Sequence, residues 1–163
     1  MKCRQDFITG LATTSIIAVA GCSGGNGSSG APANTLNSYR EAYNNGNAEE
    51  ANQYIYEDGE WSKVAEGEAG FDGEVLDNEI REITASDAKE ISNSSDNLNI
   101  AGTGEEEIKQ GLERLSSQAD INDATLVYWK DSVRIEGEEY TNENIIVMVK
   151  LNQEWLIYGY LNR

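Results

Sequence analysis

The sequence predicts an α+β fold, with N-terminal helices packed on a curved antiparallel sheet in a cone-like arrangement. Two observations predict it. Apolar residues recur at spacings of three and four around residues 36–43 and again at 108–115, as an amphipathic helix requires. The C-terminal third, in turn, carries three runs rich in β-branched and aromatic residues, separated by turn formers.

Ahead of the folded part, Lys2 and Arg4 precede an apolar stretch at residues 7–20 that closes on Val19-Ala20-Gly21-Cys22. A charged start, a short apolar centre and small residues at a cut are the parts of a lipoprotein-type leader. Residues 1–21 are therefore expected to be a signal peptide cleaved after Gly21, with Cys22 lipidated. The stretch falls short of the ~20 apolar residues of a membrane-spanning helix, and Thr9, Gly10, Thr13, Thr14 and Ser15 dilute it. The competing reading is a buried N-terminal helix with a chance cysteine. Acyl chains contribute ~0.8 kcal/mol per buried CH₂, so two of them would hold the protein on the outer face of the cell membrane. Arg4-Gln5-Asp6-Phe7-Ile8 resembles a twin-arginine signal with Gln5 in place of the second arginine, and the general secretory route also accepts such a leader. Cys3 would leave with the leader and Cys22 would be consumed by lipid, which leaves the extracellular domain without a disulfide, a cysteine-ligated metal or a thiol nucleophile.

Residues 22–33 form the lipidated cysteine and a tether; from Ser23 to Gly30 every residue is Ser, Gly or Asn, a flexible coil with a reach of ~15–17 Å. Pro32, the only proline, marks the edge of order, and residues 34–163 suffice for one core. Leu36, Tyr39, Ala42 and Tyr43 set one helical face, and Gly46 breaks it. Asn47 followed by Glu50 has capping-box character and opens a second short helix with Ala48, Ala51, Tyr54 and Ile55. Residues 57–77 are glycine-rich and irregular. Ile80, Ile83 and Ile91 mark a modest strand, or a strand and a turn. Residues 105–118 read as a helix with Ile108, Leu112 and Leu115 on one side and acids in the first turn, where the helix dipole favours them.

The strands follow at 124–135, 140–151 and 155–161. In the second, Ile145, Val147, Val149 and Leu151 oppose Ile146, Met148 and Lys150; in the third, Trp155 and Ile157 oppose Leu156, Tyr158 and Tyr160. Apolar residues on both sides mean that both faces are covered or that one lines a concave pocket. Asn152-Gln153 suits a tight hairpin, because Asn tolerates the left-handed conformation.

Acids outnumber bases 29 to 12, giving a net charge of −17 and a pI near 4.2. Phosphate backbones and anionic headgroups are repelled by such a surface, so nucleic acid is excluded as a partner and any membrane link must come from lipid on Cys22. The runs Glu57-Asp58-Gly59-Glu60, Glu105-Glu106-Glu107 and Glu136-Gly137-Glu138-Glu139 lack the alternating ligand spacing of a calcium loop. Mutual repulsion of these carboxylates is relieved in molar salt, where the Debye length shrinks to ~3 Å. In its leader, Gly/Ser tether and acidic domain the chain resembles lipoproteins of halophilic archaea.

The N-terminal helix with Tyr39, Ala42 and Tyr43, the Gly46-Asn47 break, the second helix and the closing Glu154-Trp155-Leu156-Ile157-Tyr158 together resemble a nuclear-transport-factor-two-like domain. That resemblance implies a cone with a cavity and a free sheet face used for homodimers, with residues 61–104 matching least. Enzymes of the family commonly use a His or an Asp/His pair, and this chain has no His. An enzyme would have to rely on a buried carboxylate such as Asp87 or Glu79, and no Ser lies in a nucleophile-elbow pattern. Tyr54, Trp61, Tyr128, Trp129, Tyr158 and Tyr160 are candidates to line a pocket, with Tyr56 beside them and Arg81 or Arg134 as the charged contact; the same residues also suit core filling. Aromatic faces with few cations fit a small neutral or cationic ligand. The sequence-based expectation is a non-enzymatic ligand-binding or assembly domain, without cofactor or metal, adapted to high salt.

Overall fold

The computed structural model describes residues 31–98, 100 and 103–161. Gly21 and Cys22, with the rest of the leader and the Ser/Gly run, lie outside these residues. The elements are α1 (Pro32–Asn44), α2 (Ala48–Asn52), β1 (Glu74–Ile83), α3 (Ala85–Ser94), α4 (Glu105–Ser116), β2 (Asp123–Ile135), β3 (Glu138–Leu151) and β4 (Glu154–Tyr160). The fold is α+β: the strands form one open antiparallel meander in the order β1-β2-β3-β4.

Local chemistry explains most boundaries. Pro32 sits in the first turn of α1, where its missing N–H costs no hydrogen bond. The side chain of Asn47 accepts from the Glu50 amide and caps α2. Both hairpins turn on two residues with positive φ: Glu136 (52°) and Gly137 (89°) between β2 and β3, Asn152 (48°) and Gln153 (77°) between β3 and β4.

Each face of the sheet is covered, which is why β3 reads apolar on both sides. On one face Val127, Ile146, Met148, Trp155 and Ile157 pack with Leu36, Tyr39 and Ala42 of α1 and Ala51 of α2. On the other, Leu126, Tyr128, Ile145 and Val147 pack with Ala85 and Ala88 of α3 and Ile108 of α4. The sheet therefore lies between two helical layers.

Four details depart from the sequence reading, the first being that β1 begins at Glu74, inside the 57–77 stretch expected to be irregular. Ile91 belongs to a helix, α3, whose capping box is plain in the structure: Asp87 N–H donates to Thr84 Oγ1 at 3.1 Å, and Thr84 N–H donates back to Asp87 Oδ2 at 2.9 Å. The second helix ends at Asn52, and Ile55 instead forms a parallel bridge to Ile157. Tyr160 lies on the face of Trp155 and Ile157. The pairing shifts between Val147–Gly159 and Met148–Ile157, making Tyr158 an extra residue, and this bulge carries Tyr160 opposite Ile146 on the face of the α1 core.

The β4 edge is closed by segment 54–61. Tyr56 N–H donates to Ile157 O (2.9 Å), Ile157 N–H to Tyr54 O (2.8 Å), and the amides of Glu60 and Trp61 both donate to the bulged Tyr158 carbonyl at 2.7 and 2.9 Å. β1, the free edge, carries Glu74, Asp77, Glu79, Arg81 and Glu82, charges that discourage strand addition.

An aromatic cleft with a polar rung as candidate functional site

On the face covered by α1, the sheet residues fall into cross-strand rungs. Val127 and Ile146 lie in the core; the next rung outward is Ile80, Trp129 and Asn144; then come Asn78, Asp131 and Asn142; then Val75, Val133 and Tyr140. A polar rung thus stands between two mainly apolar ones. The helix α1 leaves the outer rungs uncovered, and a cleft of about 820 Å³ opens between its C-terminal half, the loop around Trp61 and the sheet. That volume is within the ~300–1,000 Å³ of small-molecule sites.

One wall is aromatic. Trp61 stacks on Tyr160 with ring centroids 4.3 Å apart, Tyr39 meets Trp61 edge-on at 5.6 Å, and Tyr43 stacks on Tyr39 at 6.2 Å. Trp61 Nε1 donates to the Tyr39 hydroxyl at 3.2 Å. Burial pushes the phenols of Tyr39 and Tyr160 above the usual tyrosine value, so both stay neutral hydroxyls near neutral pH. Trp61 is held there by two devices: its amide bond to the bulged Tyr158, and Asn52, whose side-chain amide both donates to Val64 O and accepts from Val64 N–H at 2.8 Å.

The polar rung centres on Asp131. Its carboxylate accepts from Asn78 Nδ2 (2.6 Å), Trp129 Nε1 (2.8 Å) and Arg40 Nε (3.3 Å to Oδ2), and Oδ1 lies 3.2 Å from the same Arg40 nitrogen as an ion pair. The Arg40 and Asp131 side chains are only 12% and 13% exposed. Arg40 is engaged through Nε alone; its two terminal nitrogens form no hydrogen bond with a described residue, and the side chain lines the cleft. The outer rim is apolar, with Val75, Ile135 and Tyr140 exposed at 39%, 41% and 46%.

Of the residues that the sequence pointed to, Trp61, Trp129 and Tyr160 line this cleft. Tyr54 packs against the α1 core. Tyr158 faces a second, smaller cavity of about 360 Å³ beside α4. Tyr128 is on the opposite face, where its hydroxyl donates to Glu143 at 2.9 Å, and Arg81 lies over its ring at 5.2 Å while paired with Glu79 at 2.7 Å. Arg134 is exposed between Glu74 and Glu139. Neither carboxylate named for catalysis is buried: Glu79 is half-exposed with Arg81, and the Asp87 carboxyl is held below the ordinary range by its bonds to Thr84. Arg40 and Asp131 are not among the residues that composition and pattern single out. Asp131 carried a usable signal, an acid on the otherwise apolar face of Val127, Trp129, Val133 and Ile135.

The sheet face that the family resemblance would leave free is covered by α3 and α4 at one end and carries Ser132, Thr141, Arg134 and Glu139 at the other. Among the described residues no helix is long and apolar enough to cross a membrane, and no group of His, Cys, Asp or Glu is placed to hold a metal ion. Comparisons with protein-family models, curated proteins and solved structures give no match to the chain.

Proposed function

We propose that the protein is a membrane-anchored extracellular lipoprotein, held by lipid on Cys22, whose domain captures a small molecule in the cleft without transforming it, in a high-salt setting. The observation that carries the binding reading is Arg40, held at Nε by Asp131, with terminal nitrogens that bond no described residue, in the lining of a cavity of about 820 Å³ with one aromatic wall. Few convergent polar groups in a mainly apolar cavity are what a binding site needs for orientation. A nuclear-transport-factor-two-like relationship is part of the same proposal, supported by a helix pair packed on an open antiparallel meander. The lack of His and the exposed, low-pKa setting of Asp87 favour binding over proton-transfer chemistry.

Binding is tested by thermal unfolding of the full chain in molar potassium chloride against a metabolite library. Stabilisation of several degrees by at least one compound is expected, and a melting temperature that no compound raises would refute the reading. Anchoring is tested by Cys22→Ser, which should move the protein from the membrane to the soluble fraction; unchanged partitioning would refute the lipid anchor.

A further inference from the structure

The cleft has two chemically distinct ends, and their order along the strands restricts what can fill it. At the polar rung Arg40 presents terminal N–H donors that no described residue accepts from. One rung further out are Val75, Val133 and Tyr140, and beyond them Ile135. Successive rungs on one face are two residues apart, about 7 Å, so about 14 Å of strand separates the polar rung from Ile135, whose cross-strand neighbour is Glu138, with Val75 and Val133 between them. Large apolar side chains at that rim are exposed.

Resting on the reading of this cleft as a binding site, we propose that its ligand is a monocarboxylate with an apolar body, its head accepting from the terminal nitrogens of Arg40 and its chain lying over Val75, Val133 and Ile135. A planar fork of N–H donors matches a carboxylate in geometry as well as charge. Asp131 keeps the fork usable: it holds Arg40 at Nε and forms no hydrogen bond with either terminal nitrogen. A cationic head would meet that guanidinium at the polar rung, and a neutral alcohol would satisfy fewer of its donors. This differs from the neutral or cationic ligand suggested by composition, since the net charge of −17 describes the whole surface, whereas Arg40 stands in the cleft lining beside the acids Asp131, its own partner, and Glu60. In molar salt the surface field is screened within ~3 Å, whereas the direct contact to Arg40 is kept.

The test is calorimetric titration of the full chain in molar potassium chloride with three probes of one chain length, octanoate, octanol and octylammonium, followed by hexanoate and decanoate. Octanoate should bind best, with affinity rising from hexanoate to decanoate. Arg40→Met should weaken octanoate by roughly 10- to 100-fold, the loss of a charge-assisted hydrogen bond, and octanol by no more than about 10-fold, the loss of a neutral one. Arg40→Lys should recover part of the loss. If Arg40→Met does not fold, Ile135→Ser serves instead, keeping the head site and flattening the dependence on chain length. Equal or tighter binding of octanol or octylammonium would overturn the carboxylate assignment and leave the binding reading standing. Absence of binding by all of these probes would overturn the assignment too, and the metabolite library then decides the binding reading separately.

Discussion

Replacing Asp131 by alanine should destabilise the domain far more than replacing its ion-pair partner Arg40 by methionine. Asp131 accepts from three separate donors, Arg40 Nε, Asn78 Nδ2 and Trp129 Nε1, and all three lose their acceptor in Asp131→Ala. Removing one partner of a buried pair costs about 3–5 kcal/mol; with the two side chains 12% and 13% exposed, some water reaches the guanidinium, and the lower end, ~3 kcal/mol, is appropriate. The indole and amide donors add a further ~1 kcal/mol between them after partial resolvation. In Arg40→Met the carboxylate keeps the 2.6 and 2.8 Å bonds from Asn78 and Trp129, so the expected cost is only ~1–2 kcal/mol. The double substitution should fall short of the sum by ~1–2 kcal/mol, because the stranded guanidinium is gone. Urea unfolding in molar salt followed by far-ultraviolet circular dichroism measures this, with a midpoint drop of about 1.3–4 M expected for Asp131→Ala at unchanged slope, from ~4 kcal/mol over a slope of about 1–3 kcal/mol/M. Equal costs for the two single substitutions, or strict additivity, would refute the hub role of Asp131.

Three further outcomes follow from the same structure. Gln153 holds φ at 77°, so Gln153→Gly should raise stability by about 0.5–1 kcal/mol, whereas Gly59→Ala should lower it by about 1–3 kcal/mol because a Cβ there would lie 2.6 Å from the Tyr158 carbonyl oxygen; calorimetric melting of both variants checks the opposite signs. Burial alone would raise the carboxyl of Glu143, but the hydroxyls of Ser95 and Tyr128 and the Lys130 ammonium outweigh it and hold the pKa below its ordinary value, as Thr84 does for Asp87. A depressed folded pKa contributes stability above the unfolded value and loses it as pH falls through the folded one, so urea midpoints should drop below about pH 4, less steeply in Tyr128→Phe. With a net charge of −17, the melting temperature should climb between ~0.1 M and ~1 M salt as the Debye length falls from ~10 to ~3 Å; a flat profile would contradict surface repulsion as the limit on stability.

The strands of the C-terminal half were legible because both of their faces are buried. Ile145 and Val147 on one side and Ile146 and Met148 on the other sit in two different cores, so neither alternate set is diluted by polar residues. β1 was harder to read: as an edge strand it exposes most of its length, and only Ile83 is fully buried. Helix α3 escaped because it docks through Ala85 and Ala88, small residues that give a helical period little hydrophobic contrast; its signal was Thr84 with Asp87 three residues on. The Tyr158 bulge also left a trace, since an isolated glycine in a strand, here Gly159, often marks one.

The site was less legible than the fold because it is assembled over long sequence distances. Arg40 and Asp131 are 91 residues apart, and on the helical pattern Arg40 is simply the residue after the buried Tyr39. Its direction is decided by an acceptor that β2 delivers. A rung made of Asn78, Asp131 and Asn142 is also a poor choice for stability, since well-packed apolar side chains in place of a buried pair are commonly neutral or stabilising. What the pair supplies is restraint: Asp131 holds Arg40 at Nε, and a guanidinium already held in the lining of the cleft loses less entropy when it takes a further partner. The polar rung therefore makes most sense as part of the cleft, with its energetic cost offset by the two cores that hold the sheet on either side.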